Sequence, residues 1–173
     1  AMAGHGHALY DSLTHVPLVL RPPGGLDEAR RVDALASHVD LLPTFADLLG
    51  LDLRQPQEDR YSLAPWLGSE APDSERPYAL LGANHIGQAQ RGLRSARHKL
   101  ILHDDPRLRP ELFDLEQDPR EQQNLAPNAP TLRDEMTEVL ELAYGVLQRA
   151  EPGEAVELDA ETREQLRALG YLD

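Results

Sequence analysis

Sixteen residues, Glu111 to Ala126 (ELFDLEQDPREQQNLA), constrain the fold of this 173-residue chain more than any other stretch. Leu112, Phe113 and Leu115 form an apolar strand core around Asp114, and Asp118-Pro119 ends it, because proline brings no N–H to a ladder. Asp118 is a suitable N-cap, Pro119 suits the first helical position and Glu121 falls at N3. The spacing therefore predicts a D-x-x-E capping box that opens a new helical turn. A strand-to-helix junction of this kind occurs in many folds, so its meaning depends on what surrounds it.

The surroundings are β-rich. Four short strand candidates, Tyr78 to Leu81, Ala89 to Ser95, Lys99 to His103 and Glu111 to Leu115, follow one another at about ten-residue spacing with short turns. That rhythm predicts an antiparallel meander. A helix over 131–149, with Leu132, Met136, Val139, Leu140, Ala143 and Leu147 on one face, is placed to cover one side of the sheet. A last helix is expected from Asp159 to Gly170.

The first seventy residues have a different texture. Leu9 to Leu20 carries Val16, Leu18, Val19 and Leu20 with little alternation, which predicts a strand buried on both faces, ended by Pro22-Pro23-Gly24-Gly25. Residues 38–49 predict a helix with Asp40 as N-cap, Pro43 in the first turn and Gly50 as the C′ stop. Its Leu41, Phe45, Leu48 and Leu49 form an apolar stripe expected to face a core. Residues 52–60 read as a surface loop, and 62–67 as a helical turn anchored by Trp66. The Pro-, Ser- and acid-rich run at 71–77 reads as a linker.

The expected organisation is therefore α/β: residues 1–70 as the tail of an α/β layer, a linker at 71–77, and a small α+β unit over 78–173. One strand and one helix cannot bury each other completely, so the tail implies a larger domain and a missing front. An uncovered strand over 9–20 would seek a partner, which is a route to dimerisation.

Composition excludes several functions. With no cysteine there is no disulfide, thiolate metal site or thiol nucleophile, and the compartment, periplasmic or cytoplasmic, stays open. Thirty acidic against seventeen basic residues give a net charge of −13, which repels phosphate backbones and anionic membranes. Nucleic acid is thus not an expected partner unless the arginines between Arg91 and Arg109 form a patch. No stretch approaches the ~20 apolar residues of a membrane span, and no signal peptide is read at the N-terminus.

Four segments, in order, resemble the C-terminal part of type I sulfatases of the alkaline-phosphatase superfamily. GHGHALYDSLTHVPLVLRPPG resembles the family's "HGxxLYDExxRVPLIVRxPG". SHVDLLPTFADLLGL, followed by Tyr61 to Leu67, resembles "HVDLLPTLLDLAGL" and its "GxSLxPLL". RSARHKLIL and ELFDLEQDPREQQNLA are similar to the two signature strands of the C-terminal subdomain, and the closing LDAETREQLRALGYLD is like a tail of some bacterial members.

The resemblance implies a sulfatase α/β/α domain whose tail precedes a C-terminal α+β subdomain, and an enzyme that hydrolyses sulfate esters when whole. It implies a formylglycine nucleophile from a C/S-x-P-x-R motif and a calcium ion held by Asp, Asn and His. This chain has no such motif, and the family's paired aspartates and "DHG" or "DN" metal segment are also missing. Nucleophile and calcium ligands would therefore lie outside it, and the chain alone is expected to be inactive. The resemblance places a sulfate-contacting Lys or His just before the "LY", which makes His5 the candidate catalytic residue here and His7 the reserve.

The other histidines have plain explanations: His15 structural, His38 at a helix start, His85 and His98 exposed, and His103-Asp104-Asp105-Pro106 a hairpin turn. Two alternatives remain. The parent is a related phosphodiesterase or phosphonate monoester hydrolase, or the chain is a stand-alone, non-catalytic binding module.

Overall fold

A computed structural model of the chain describes residues 8–22, 24–25, 29, 31–53, 61–68, 76–85 and 88–149. Four strands, β1 (Tyr78–His85), β2 (Gln88–Ser95), β3 (His98–His103) and β4 (Glu111–Asp114), pair antiparallel in that order as one sheet. The expected meander is present, with β1 longer than the apolar run that announced it.

Register assigns the faces. Leu81 lies opposite Gly92, Gly92 opposite Ile101 and Ile101 opposite Glu111, while Gln90 lies opposite His103 and Lys99 opposite Phe113. These residues therefore share one face. Leu9 covers it, in a cluster with Ala83, Ile101 and Phe113, and Tyr10, Leu81 and Leu115 pack around the cluster. Leu9 fits because residue 92 is glycine: a Cβ there would come within 3.1 Å of Leu9 Cδ1 and of the Leu100 carbonyl. The opposite face presents Leu93, Leu100 and Leu112, all buried.

The helix α3 (Pro130–Arg149) buries Met136 and Leu140, one turn apart. Burial of side chains such as Leu100, Leu112 and Leu140 contributes about 1.5–3 kcal/mol each. Two compact units result, Ala1–Leu140 and Glu141–Asp173; of the second, only the continuation of α3 is described. The expected helix at 159–170, most of the loop at 52–60 and most of the linker at 71–77 lie outside the described residues. No described helix is long and apolar enough to cross a membrane.

Residues 9–20 do not form the expected strand. A four-residue helix, α1 (Asp11–Thr14), is followed by extended chain from His15 that joins no ladder, and Val19 is 88% exposed. A strand is completed by its neighbours, and none is present for this one among the described residues.

The helix at 38–49 does form, as a 3-10 turn (His38–Asp40) running into α2 (Leu41–Leu49). It ends as expected. Gly50 adopts φ 64°, its N–H donates to the Asp47 carbonyl, and the Leu51 N–H reaches back to Ala46, which is a Schellman closure. Two details differ from expectation. The N-cap is Ser37, with Asp40 as the N3 acid of a capping box, its Oδ2 2.8 Å from the Ser37 N–H. The apolar stripe is not inside either. Phe45 is 51% and Leu49 66% exposed, while Pro43, Thr44 and Ala46 are buried. The buried side of α2 is made of small residues, Pro43, Thr44 and Ala46, and a buried ion pair sits at its start.

That pair is Asp40 and Arg76. Arg76 donates through Nε to Asp40 Oδ2 at 2.9 Å and through Nη2 to Oδ1, and both side chains are almost fully buried. The Tyr61 N–H also donates to Asp40 Oδ1, the guanidinium stacks 4.7 Å over the Tyr61 ring, and its Nη1 donates to the Tyr78 carbonyl. Thr44 extends the network, donating to the Asp40 carbonyl and accepting from the Leu63 N–H. One carboxylate thus joins the start of α2, the 61–63 segment and the entry to β1. The 3-10 turn Ala64–Leu67 follows as expected, with Leu63 buried and Trp66 half-buried.

Replacing Arg76 by Met leaves Asp40 buried without its cation, a change that costs about 3–5 kcal/mol. Urea denaturation of Arg76→Met should report a loss of that size. The Asp40→Asn/Arg76→Met double variant should lose less than the sum of the two single variants.

Candidate functional site

The segment just after the candidate histidines forms one wall of an open cleft of about 870 Å³. Tyr10, Asp11, Ser12 and His15 stand on one side, Leu115 to Glu121 on the other, with Arg94 between. His5 and His7 themselves lie outside the described residues. What the structure does describe is how the chain is fastened from Ala8 onward.

The fastening centres on Lys99. Its position in β3 points the side chain at the Leu9-covered face, and it is 0% exposed. Its ammonium donates to the Leu9 carbonyl at 3.1 Å and to the Asp11 carboxylate, and lies 2.8 Å from Glu121 Oε1. The last is an ion contact whose angles fall outside hydrogen-bond geometry. Glu121 Oε2 accepts the Asp11 N–H at 2.6 Å, and Arg94 adds a longer fork onto Asp11 at 3.3–3.4 Å. Two cations and two carboxylates balance, as burial requires.

Beside this cluster, Tyr10 donates its hydroxyl to Glu111 Oε2 at 2.7 Å and meets Phe113 edge-on at 6.1 Å. Glu111 Oε1 lies 2.8 Å from His103 Nε2. His103 does stand at the head of a turn, as expected, but its ring points to β4 and not to its neighbouring aspartates.

The signature stretch thus works differently from its expected capping box. No helix starts at Pro119. Asp118 Oδ2 instead accepts from the Gln122 and Gln123 N–H groups, both at 2.7 Å, in a tight turn. Glu121 takes φ 54°, the only positive φ among described non-glycine residues, and its carboxylate swings to Asp11 and Lys99. Asn124 accepts from the Leu112 N–H, and Leu125 donates to the Leu112 carbonyl, so β4's outer edge is closed.

Among the other histidines, His15 is largely exposed beside Asp11, and His38 opens the 3-10 turn. His98 is half-buried near Asp114, not exposed as expected. The arginines of β2 and the turns do not pool into a patch. Arg91 faces Asp104, Arg94 faces Asp11, Arg97 faces Asp114 and Arg107 faces Asp105.

Lys99 and Glu121 are the residues that sequence reasoning missed. A lysine two residues before Ile101 in an apolar strand was the available signal, since such a cation needs buried acids from elsewhere.

The family described as N-sulphoglucosamine sulphohydrolase, C-terminal, matches residues 6–144. The chain belongs to this family of sulfatases. Arylsulfatase K of Gallus gallus is 32% identical over 142 residues, covering 77% of this chain and 26% of its own length. A solved 2-O GAG sulfatase superposes with a TM-score of 0.62 at 27% identity, over 78% of this chain and 30% of its own. A phosphonate monoester hydrolase of Agrobacterium radiobacter is more distant, with a TM-score of 0.51 at 25% identity over 61% of this chain and 24% of its own. The sulfatase chain described here therefore spans about a quarter of the length of the curated relatives it matches.

Calcium finds no home among the described residues. No group of three or more His, Asp or Glu in them could hold a metal, and the buried acids Asp11 and Glu121 are already neutralised by Lys99 and Arg94.

Two groups lining the cleft, Asp11 and Tyr10, carry pH dependence. Burial pushes the Asp11 carboxyl up, but hydrogen bonds from Lys99 and Arg94 outweigh it and hold the group below its ordinary 3.8. Its stabilisation is therefore present above that value and is lost as the pH falls through the lower folded one. Burial and the Glu111 hydrogen bond push the Tyr10 phenol up from 10.0 to about 12. Its stabilisation is full below pH 10 and is lost as the pH rises toward 12. Thermal unfolding followed across pH should show a shallower acid limb in Asp11→Asn and a shallower alkaline limb in Tyr10→Phe. Asp114, held low by Arg97, keeps part of the acid limb in the first variant.

Proposed function

We propose that this chain completes a sulfatase and supplies one wall of its active-site cleft, with residues 1–70 as the tail of the catalytic α/β domain and 78–173 as its C-terminal subdomain. The observation that carries this reading is the pairing of a family match over residues 6–144 with a chain that holds no C/S-x-P-x-R nucleophile. On this reading the nucleophile and the calcium ligands come from the region that the longer relatives carry in addition. His5, with His7 in reserve, reaches the sulfate or the leaving oxygen; an imidazole can give or withhold a proton near neutrality.

The outer surface supports the same reading. Val16, Leu18 and Val19, together with Phe45, Leu48, Leu49 and Leu51 of α2 and its C-cap, are exposed and apolar. Patches of this kind mark surfaces that another element covers. Here the covering element is the remainder of the catalytic domain, and a second copy of the chain is the competing occupant. The substrate class proposed is a sulfated carbohydrate, by analogy with the 2-O GAG sulfatase. A phosphonate monoester hydrolase parent is the second reading, favoured only by the more distant structural likeness.

The purified 173 residues should not turn over p-nitrophenyl sulfate, and measurable hydrolysis would refute the proposed division of labour. Extending the coding sequence upstream of Ala1 should yield sulfate-ester hydrolysis. Preferential cleavage of a phosphonate monoester by the extended protein would select the second reading.

A further inference from the structure

We infer that Gln90 is a positioning residue: its side-chain amide donates to His103 Nδ1 and completes a hydrogen-bonded series, Gln90, His103, Glu111 and Tyr10, that ends in the wall of the cleft.

The series is anchored at Tyr10. Its hydroxyl donates to Glu111 Oε2 at 2.7 Å, and burial and this bond push the phenol up to about 12, so the proton stays on Tyr10. The other oxygen, Glu111 Oε1, lies 2.8 Å from His103 Nε2. A carboxylate has no hydrogen to give, so the proton of this second bond sits on Nε2. A neutral imidazole carries one N–H, which leaves Nδ1 as an acceptor.

A bare acceptor is costly at this place. The His103 side chain is 8% exposed, and its Nδ1 is buried without a partner. Gln90 is in the same position: the residue is 9% exposed, and its Oε1 is buried without a partner. The two residues stand opposite each other in the β2–β3 ladder. Opposite Cβ atoms in a sheet lie about 4.5–5.5 Å apart, so two side chains of this length reach each other. Two acceptors cannot satisfy one another, and the carboxylates of the adjoining turn, Asp104 and Asp105, are acceptors as well.

Half a turn of the Gln90 amide cures both orphans. It exchanges oxygen for nitrogen with no change of shape, so that Nε2–H faces the imidazole. The oxygen moves to the end of the amide that is not orphaned. Each member then fixes the next. Gln90 sets the tautomer of His103, the tautomer gives Glu111 a donor on Oε1, and Oε2 is left for Tyr10. In this way β2, β3 and β4 each contribute one side chain to the fastening of Tyr10.

Nitrogen NMR of the labelled 173-residue chain in mildly alkaline solution tests this, with the ring assigned by His103→Gln. His103 should carry its proton on Nε2, and Nδ1 should show an N–N coupling through the hydrogen bond to the Gln90 side-chain amide. Gln90→Glu puts a carboxylate of the same shape before Nδ1, and the ring should then carry a proton on Nδ1 as well. Gln90→Met removes the donor without adding charge, and the Tyr10 hydroxyl proton should exchange with water about tenfold faster.

A proton on Nδ1 in the parent chain would overturn the inference. So would a missing coupling, a bridging water in its place included, or a ring left unchanged by Gln90→Glu. Unaltered exchange of the Tyr10 hydroxyl in Gln90→Met would overturn the reach of Gln90 to the cleft. Should Gln90→Met fail to fold, the coupling in the parent chain and the ring in Gln90→Glu decide.

Discussion

An ammonium ion shut away from water needs acceptors for its N–H groups and negative charge nearby, and Lys99 finds both by drawing together parts of the chain that are far apart in sequence. The Leu9 carbonyl, Asp11 and Glu121 lie 90, 88 and 22 positions away. Several features of the cleft follow from this. Residues 9–11 lie across the sheet because their backbone is bonded there, Leu9 passes where residue 92 has no Cβ, and the turn after β4 brings the Glu121 carboxylate to the Asp11 N–H and Lys99. A hydrophobic residue at 99 would sit as comfortably in β3 but would not specify which loop comes to rest above it.

The same logic governs the second buried pair. Asp40 and Arg76 set α2 against the entry of β1 with a fork of charge-assisted bonds, where leucines could have provided more apolar contact but less geometric definition. The consequence is visible on α2 itself. With its inner side committed to Asp40 and Thr44, the apolar stripe of Phe45, Leu48 and Leu49 is turned outward.

Much of the frame was legible from local pattern. Strand spacing, the helix that follows the sheet, the left-handed stop at Gly50 and the turn at His103 all depend on residues close in sequence, where periodicity and turn chemistry operate. The misreadings share one cause. Residues 9–20 look like a strand because their apolar run lacks the alternation of a half-exposed segment, yet no described strand pairs with them. The α2 stripe looks like core by its spacing, and the buried contacts of Asp40 and Thr44 with residues 61–63 and Arg76 turn the other side inward. Asp118, Pro119 and Glu121 match a capping box by spacing, yet Glu121 is claimed by a lysine twenty-two positions away, and a local rule cannot see that competitor. The family likeness drew attention to the segment before the "LY" at Leu9-Tyr10, but the ties that hold Leu9 to Asp11 are long-range pairings that no single segment announces.

Asn124 has a further consequence. By accepting the Leu112 N–H and donating its own amide to the Pro110 carbonyl, while Leu125 occupies the Leu112 carbonyl, it replaces a fifth strand with one side chain and a short length of loop. The sheet is thereby counted out at its β4 side. A free edge invites extension by any passing strand, its own kind included; here the N–H of Leu112 is spoken for by a residue twelve positions further on. This margin of the protein is finished, and growth or partnership has to be sought on other surfaces.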